Sequence, residues 1–298
     1  MRLNLKQLEA FVWVADLRSF RRAADRLNTT QPNISARIAA LEDALGTRLL
    51  TRDAGSVQLT GKGQVLLVHA RRVLDATDAL VAAAGNRDLL EGTLRLGVTE
   101  MIVHTWLRDY LRALKDQFPN LTVELTVDLS ANLEKELAGR TIDLALQNAP
   151  FSRLSSGQID LGTYPLVWVA EPGLLPVGDV TLDDLAQHPI LTHARNTRLY
   201  EEVTAHISSR RDLAFRLVPS SNLAACLQMT VDGMGIATLP AAMVATDIAS
   251  GALVPVSYAW SPAPLHFFAR YDAERSPRMV GDAARVAFAI AQGYDQRN

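Results

Sequence analysis

The chain has 298 residues with 48% hydrophobic residues, 21% charged residues and a net charge of −2, which is typical of a globular protein with two or three domains. No apolar run reaches the ~18 residues of a membrane-spanning helix, and the first residues lack the pattern of a secretory signal, so we expect a cytoplasmic protein. The single cysteine, Cys226, excludes an intrachain disulfide and a thiolate metal cluster, and it is expected to be a small buried hydrophobe.

The two ends of the chain differ in charge. Residues 1–90 contain 13 Lys and Arg against 9 Asp and Glu, a balance of +4, whereas residues 91–298 contain 17 against 23, a balance of −6. A basic N-terminal part is compatible with phosphate binding, because each neutralised phosphate releases counterions. A balance of +4 is weak support by itself, so motifs must decide the function.

Three short helices are predicted in the first 45 residues from their caps and their apolar spacing. Asn4 and Ser19 precede the first two helices as N-caps. Thr30 precedes the third helix, and Pro32 stands in its first turn, where the missing N–H of proline costs no hydrogen bond. Gly46 ends the third helix.

The third helix has one apolar and one polar face. Ile34, Ile38, Leu41 and Leu45 are 4, 3 and 4 residues apart and form one buried stripe. Its first turns carry polar side chains outside that stripe. Periodicity alone leaves two interpretations open: a helix-turn-helix whose second helix enters the DNA major groove, and a plain three-helix bundle.

The segment 51–59 favours the helix-turn-helix, because Gly55 lies between short β-prone flanks of the length of a hairpin wing. We therefore predict a winged helix-turn-helix. Its predicted DNA contacts are Arg22, Thr30, Gln31, Pro32, Asn33, Ser35, Arg37 and, in the wing, Arg52.

A long helix follows Thr60, which is its predicted N-cap. The helix carries a heptad seam made of Leu66, Ala70, Val73, Thr77, Leu80 and Ala84. The seam predicts pairing with the same helix of a second subunit, and packing against its own chain is the alternative. Residues 85–92 close this segment.

From Gly92 the pattern changes to alternating strands and helices. Strands are predicted at 93–98, 121–127 and 142–146, with one helix ending at Phe118 and another at 130–139, which indicates a βαβαβ unit with a parallel sheet. A second set of strands, at 166–170, 189–192, 214–218 and 236–239, alternates with helices that end at 209 and span 221–232. We expect an α/β fold with two lobes.

These residues resemble the LysR-type transcriptional regulators over essentially the whole chain. The most specific match is the ordered pattern Leu8-Glu9-Ala10-Phe11, Ser19-Phe20, Ala23-Ala24, Leu27, Thr30-Gln31-Pro32, Ser35, Ile38, Leu41-Glu42, Leu45-Gly46, Leu49-Leu50, Arg52, Leu59-Thr60 and Gly63. In the C-terminal part, Gly97, Ile142 to Ala145, Asp232 to Ala237 and Leu239-Pro240 are similar to the family's effector domain. Ala36 and Asp53 depart from the family pattern, so operator preference cannot be carried over.

The resemblance implies a winged helix-turn-helix at 1–60, a linker and dimerisation helix at 61–91, and a two-lobed effector domain like periplasmic solute-binding proteins at 92–298. Lobe I is expected at about 92–163 and 267–298, and lobe II at about 164–266. The implied partners are a double-stranded DNA operator, a small-molecule effector between the lobes and a second copy of the chain, with dimers assembling to a tetramer. RNA polymerase is a candidate partner.

Effector contacts are expected where strands end and helices begin, because free N–H groups there bind carboxylates or phosphates, so we expect an anionic effector. The resemblance places effector contacts in four such segments: Thr99, Glu100, Met101, Ser130, Gln147, Asn148, Thr192, His193 and Asn196. Thr99 is the predicted hydroxyl donor, and Gln147 or Asn148 the polar arm. Helix capping alone is the alternative explanation of Thr99 and Ser130. His104 faces either the cleft or solvent.

No pattern of catalytic or metal-binding residues is found. The six histidines lack metal-ligand spacing, and neither a Gly-x-Ser-x-Gly nor a Gly-x-x-x-x-Gly-Lys motif occurs. Gly233-Met234-Gly235 precedes a strand instead of following one, so we interpret it as a helix stop and not as a nucleotide site. We expect no metal and no cofactor. The competing functions are a small-molecule carrier, which leaves residues 1–90 unexplained, and an enzyme, which lacks a nucleophile or base.

Overall fold

The computed structural model describes residues 3–53, 56–83 and 92–295. Contacts group the chain into two units, one made of Met1–Gly92, Gln117–Thr122 and Ala273–Gly281, the other of Thr93–Asp116, Val123–Asp272 and Asp282–Asn298. Among the described residues, no helix is both long and apolar enough to cross a membrane.

The first unit begins with the three helices, hairpin and long helix that the sequence predicts. Their bounds are α1 Leu5–Leu17, α2 Phe20–Arg26, α3 Gln31–Leu45, β1 Leu50–Asp53, β2 Ser56–Leu59 and α4 Gly61–Ala83. The two strands pair antiparallel, with Leu50 opposite Leu59 and Asp53 opposite Ser56. Residues 54 and 55, which include the predicted turn glycine Gly55, lie outside the described part of the chain.

The predicted caps explain where these helices begin. The Gln7 N–H donates to the Asn4 side chain at 2.9 Å, and the Asn4 N–H donates to the Gln7 side chain at 3.0 Å, which is a capping box. Ser19 caps α2, and the Thr60 hydroxyl accepts from a backbone N–H in the first turn of α4 at 2.9 Å. Thr30 precedes α3 as predicted, but its side chain makes no cap hydrogen bond.

A buried carboxylate holds the wing against the helices. Phe11 and Leu41 belong to the apolar core of this unit. Glu42, only 7% exposed, accepts from the backbone N–H groups of Leu49 at 2.7 Å and Leu50 at 3.2 Å. These two charge-assisted bonds fix the start of β1 beside the end of α3. The hairpin therefore stands next to α3, as a wing requires.

The heptad seam of α4 is covered by its own chain at Leu66 and Ala70 and exposed at Val73 and Leu80, which corrects the prediction of one continuous seam. Ala70 is 4% exposed and, together with half-buried Leu66, packs on the core of its own unit. Val73 and Leu80 are 46% and 70% exposed. One side of the helix thus covers apolar surface that α1 to α3 leave open. Val65 and Val68 in its first half are also exposed, at 58% and 52%, so an apolar side that includes Val73 and Leu80 stays available to another helix. Ala84 lies outside the described residues.

The second unit contains the alternating elements. In chain order they are β3 Gly92–Val98, α5 Glu100–His104, α6 Leu107–Gln117, β4 Leu121–Val127, α7 Ser130–Ala138, β5 Leu144–Asn148, β6 Gly157–Tyr164, β7 Leu166–Ala170, α8 Leu182–Ala186, β8 Pro189–His193, α9 Arg198–Ile207, β9 Arg216–Ser220, α10 Leu223–Val231, β10 Ile236–Pro240, α11 Ala241–Ser250, β11 Val254–Pro255, β12 Leu265–Tyr271 and α12 Arg278–Asp295.

Two five-stranded sheets carry these helices, and both sheets are mixed. Sheet I has the strand order β4-β3-β5-β12-β6, and sheet II has the order β11-β7-β10-β8-β9. β3 runs parallel to β5, and β8 runs parallel to β9 and β10. β12 runs antiparallel to β5 and β6, and β7 runs antiparallel to β10 and β11. The predicted parallel sheet is therefore only part of sheet I, because the prediction did not include β6 and β12.

The helix predicted to end at Phe118 is two helices, α5 and α6. The backbone of Thr105 leaves the helical region with φ −114° and ψ −91°. Trp106 follows, is fully buried and donates from its indole N–H to the Tyr164 hydroxyl at 2.9 Å. The break thus comes from packing against a distant residue, which apolar periodicity does not reveal.

Two glycines explain close approaches around the sheets. A Cβ on Gly97 of β3 would lie 2.5 Å from Ile142 Cδ1 and 2.8 Å from Leu133 Cδ2, so only glycine lets α7 pack this closely on sheet I. Gly233 follows α10 with a φ of +69°, and a Cβ there would lie 1.9 Å from Glu171 Oε2. The predicted helix stop at 233–235 is confirmed.

Candidate DNA-binding surface and effector cavity

The turn between α2 and α3 brings polar side chains to the surface of the first unit. Asn28 in this turn has a left-handed φ of 47°, which asparagine adopts more readily than most residues. Gln31, Pro32 and Asn33, in the first turn of α3, are exposed. Ile34 beside them is fully buried. The core therefore fixes the start of α3 while its polar side faces outward.

The other predicted DNA contacts lie around this turn. Arg22 and Thr30 are exposed, and Ser35 and Arg37 are half-buried. Ser35 follows Gln31 by one helical turn, and Arg37 follows Asn33 in the same way, so each of these two pairs shares a side of α3, and the two pairs flank its buried stripe. Arg52 belongs to β1 of the wing, but its side chain lies outside the described residues. Its contact with DNA stays a prediction.

A cavity of about 960 Å³ lies in the second unit. Residues at the ends of β3, β4 and β5 line it from sheet I, and residues at the ends of β8 and β9 line it from sheet II. The lining includes His104 and seven of the nine predicted effector contacts: Thr99, Glu100, Met101, Ser130, Asn148, His193 and Asn196. A crevice at strand ends is where α/β proteins commonly bind small molecules.

Thr99 contributes an unused hydroxyl to the cavity wall. Thr99 precedes α5, but its side chain makes no cap hydrogen bond. The residue is 8% exposed, and its Oγ1 has no hydrogen-bond partner among the described residues. A buried hydroxyl without a partner costs about 1–3 kcal/mol. Capping therefore does not explain Thr99, whereas a polar group of a ligand would satisfy its hydroxyl.

Ser130 and Asn148 bind each other across the end of sheet I. The Ser130 hydroxyl donates to Asn148 Oδ1 at 2.8 Å and accepts from the Asn148 N–H at 3.1 Å. Leu129 occupies the cap position of α7, so the capping explanation of Ser130 is wrong. The pair gives the cavity a fixed polar edge.

Gln147 and Thr192 do not line the cavity, so the geometry does not support them as effector contacts. Each lies one residue before a lining residue, Asn148 and His193 respectively, and successive side chains of a strand point to opposite faces. Gln147 is fully buried. With its amide oriented to satisfy both hydrogen bonds, the amide nitrogen donates to the Ser130 carbonyl oxygen at 3.0 Å, and the amide oxygen accepts from the Arg270 guanidinium at 3.1 Å. Thr192 is buried in β8.

His193 is an uncharged part of the cavity wall at neutral pH. Its Nε2 lies 3.3 Å from the Thr238 carbonyl oxygen, which accepts only, so Nε2 carries the proton. Burial lowers the pKa of His193 to about 4, against the opposite influence of Thr238 and Glu100. His193 therefore brings no positive charge to the cavity.

Two family models match the chain and together cover most of it. One, described as "Bacterial regulatory helix-turn-helix protein, lysR family", matches residues 5–64. The other, "LysR substrate binding domain", matches residues 87–284. The chain belongs to the LysR family. It is a transcriptional regulator with a DNA-binding helix-turn-helix and an effector-binding domain, and not an enzyme. The carrier and enzyme alternatives are therefore ruled out, and the predicted fold class is confirmed.

Curated relatives of this LysR-family regulator include two that align over most of their length. The chain is 32% identical over 263 residues to the "Probable hydrogen peroxide-inducible genes activator" of Mycobacterium avium, which covers 86% of this chain and 84% of that protein. It is 32% identical over 283 residues to the HTH-type transcriptional regulator PtxR of Pseudomonas aeruginosa, which covers 92% of this chain and 88% of PtxR.

Solved structures share the fold at lower identity. Full-length LysG from Corynebacterium glutamicum, solved with bound effector Arg, aligns with a TM-score of 0.60 at 19% identity over 98% of this chain and 99% of LysG. DarR of Vibrio fischeri, solved in complex with DNA, aligns with a TM-score of 0.55 at 21% identity over 97% of this chain and 100% of DarR.

The effector cavity of this LysR-family chain has an acidic lining. Glu100, Asp128, Glu134 and Glu201 line it, and Arg198 is the one Arg or Lys among the lining residues that the structure describes. Burial raises the pKa of Glu134, but hydrogen bonds from Ser152, Arg153 and Arg270 outweigh it and lower the pKa to about 2. Glu134 is therefore ionised at neutral pH.

Three of these lining residues were missed for a physical reason. Asp128 directly follows β4, so the rule that selects strand ends finds it as readily as Thr99. Glu134 and Glu201 lie inside α7 and α9. Their side chains reach the cavity only because of the way these helices pack, and no local pattern marks them.

Proposed function

We propose that this regulator binds a small-molecule effector in the cavity of its second unit, and that occupancy of the cavity changes its activity on DNA. The observation that carries the proposal is the Thr99 hydroxyl, which is buried at the cavity wall and has no hydrogen-bond partner in the described part of the chain. Ser130, Asn148 and His193 add fixed polar groups around the same space. An anionic group of the effector, as the sequence analysis expects, would bind beside Thr99.

We further propose that the first turns of α3 enter the major groove of the operator. Gln31, Asn33, Ser35 and Arg37 would reach base edges, because amide, hydroxyl and guanidinium groups form the hydrogen bonds that distinguish bases there. Arg52 of the wing would bind the phosphate backbone, which positions the protein without reading sequence.

The proposed assembly is a dimer formed through the exposed apolar side of α4, with two dimers forming a tetramer. Exposed Val73 and Leu80 support pairing with a second copy, because large apolar side chains on a helix are usually covered by a partner. We propose that the assembly works in the cytoplasm and contacts RNA polymerase at promoters.

The name of the M. avium relative mentions hydrogen peroxide. We do not propose an intrachain disulfide as a peroxide sensor in this chain. The sequence contains one cysteine, and a disulfide needs two. Burial raises the pKa of this residue, Cys226, and a hydrogen bond from Ser220 opposes that rise in part. We propose a small molecule in the cavity as the signal instead.

A mobility-shift assay with the DNA upstream of the regulator's own gene tests the DNA proposal. Arg37→Ala is expected to weaken operator binding by about 1–3 kcal/mol, because it removes a contact to a base, and to leave binding to an unrelated duplex nearly unchanged. The unrelated duplex is the control. Equal loss on both duplexes would assign Arg37 to phosphate, and unchanged binding to both would contradict the docking of α3.

A further inference from the structure

Glu100 connects two walls of the effector cavity. Glu100 is the first residue of α5, which follows β3 of sheet I. The carboxylate of Glu100 reaches the start of α10, which lies along the chain between β9 and β10 of sheet II. The Leu223 N–H donates to Glu100 Oε2 at 2.6 Å, and the Ala224 N–H donates to Glu100 Oε1 at 3.2 Å. Both oxygens of this carboxylate are therefore bound to one helix terminus.

The N-terminus of α10 is a place where a free anion would otherwise bind. A helix begins with N–H groups that have no partner inside the helix, and its dipole favours negative charge at this end. The third N–H of α10, from Ala225, donates to Asn222 Oδ1 at 2.6 Å. Ser220, Asn222 and Leu223 line the cavity. This wall thus faces the effector, but the chain's own groups already occupy its first three donors.

The rest of the described lining offers no uncommitted Arg or Lys in exchange, and His104, which also lines the cavity, has its Nε2 3.7 Å from Glu100 Oε1. Arg198 is paired with Glu202 and also donates to the Ala263 and Pro264 carbonyl oxygens at 2.9 Å each. The carboxylate of Glu201 has no ion pair or hydrogen bond among the described residues. An anion on this side of the cavity would meet carboxylates and no uncommitted guanidinium.

We propose that Glu100 is a specificity-determining residue of the effector cavity. By filling the N-terminus of α10 with its own carboxylate, it excludes anionic groups of the effector from this wall. An effector with one carboxylate directs that group elsewhere, and it presents an amine, amide or hydroxyl group to α10. This inference rests on the proposed effector function of the cavity.

Chemical rescue by acetate tests this role of Glu100. Melting curves are measured on the full-length wild type and on Glu100→Ala in increasing sodium acetate, with sodium chloride keeping the ionic strength constant. Glu100→Ala is expected to melt at a lower temperature, and acetate is expected to restore its stability in a saturable way. The acetate concentration at half-effect should be at least tenfold lower for Glu100→Ala than for the wild type. Glu100→Ser, which also leaves room for acetate, carries the same test if the alanine variant does not fold.

A matched control removes a carboxylate that binds a side chain instead of a helix terminus. Glu124 pairs with Arg95 at 2.9 Å on the surface, and acetate should not rescue Glu124→Ala. Equal acetate dependence of the wild type and the Glu100 variants would overturn the inference, and so would a Glu100 variant that acetate does not stabilise. If acetate stabilises the wild type, Thr99→Val abolishes that effect and the Glu100 variants gain no further stabilisation, the effector cavity stands and only the exclusion by Glu100 fails.

Discussion

At the scale of single residues, Thr99 separates effector binding from helix stability. Its hydroxyl makes no cap bond and has no partner among the described residues. Thr99→Val should therefore leave the melting temperature unchanged or raise it, because it removes a buried unsatisfied group. Effector affinity should fall by about 1–3 kcal/mol, because a hydrogen bond to the ligand is lost. Calorimetric titration of the effector, beside melting curves, measures both quantities.

Thr105→Val is the matched control for that prediction. The Thr105 hydroxyl donates to the Met101 carbonyl oxygen at 2.9 Å within the same short segment. Its loss should lower the melting temperature and leave effector affinity unchanged. Equal effector affinity of the wild type and Thr99→Val would remove Thr99 from the site.

His193 leads to a prediction about stability in acid. Its pKa is about 4 in the folded protein because of burial, against about 6.5 in an unfolded chain. Between these values the unfolded state binds a proton that the folded state does not, so stability falls as the pH falls from about 6.5 to 4. The free energy of unfolding should fall on the order of 3 kcal/mol more for the wild type than for His193→Gln across this window. Denaturant unfolding at several pH values measures the difference, and identical pH profiles would refute the assignment.

At the scale of helices and strands, local signals located most elements and long-range packing decided the rest. The pattern of residue types predicted the bounds of β4 and β7. Gly46, with a left-handed φ of +65°, predicted the end of α3. β12 was missed because its partners β5 and β6 lie more than 100 residues away along the chain. The break between α5 and α6 has the same origin, since the partner of Trp106 is Tyr164.

The candidate site was predictable to the level of strand ends but not of individual faces. The rule that effector contacts follow strands selected Thr99, Asn148 and His193, all of which line the cavity. It also selected Gln147 and Thr192, which point away, because one residue along a strand reverses the side-chain direction. Sequence alone does not give the register that distinguishes these neighbours.

The exposed apolar side of α4 gives the prediction at this scale. Leu80→Glu places a charge on the apolar face that the proposed dimer buries, so the dimer should dissociate and operator affinity should fall although no DNA contact has changed. Light scattering gives the mass in solution. Gln64→Glu is the control, because Gln64 is exposed on a different side of the same helix. Unchanged mass of the Leu80 variant would contradict pairing through this face.

At the scale of the whole molecule, the two parts of the chain that differ in function also differ in net charge. The basic part, residues 1–90, contains the helix-turn-helix, and the acidic part, residues 91–298, contains the cavity with its carboxylates. Phosphate attraction is therefore concentrated on the first part, because acidic surface repels the DNA backbone.

The single cysteine of the chain predicts how the regulator responds to oxidation. Cys226, the one cysteine of the chain, is buried, and burial raises its pKa, so little of the reactive thiolate is present at neutral pH. Hydrogen peroxide should therefore leave the operator affinity of the wild type unchanged and equal to that of Cys226→Ala, and mass spectrometry should find the thiol intact. The urea-unfolded chain is the control, because exposure of the thiol should make it oxidise under the same treatment. A peroxide-dependent change in operator affinity that occurs in the wild type and is lost in Cys226→Ala would contradict this prediction. It would show that Cys226 senses oxidants without a disulfide partner in its own chain. The effector cavity and this thiol would then both control the regulator.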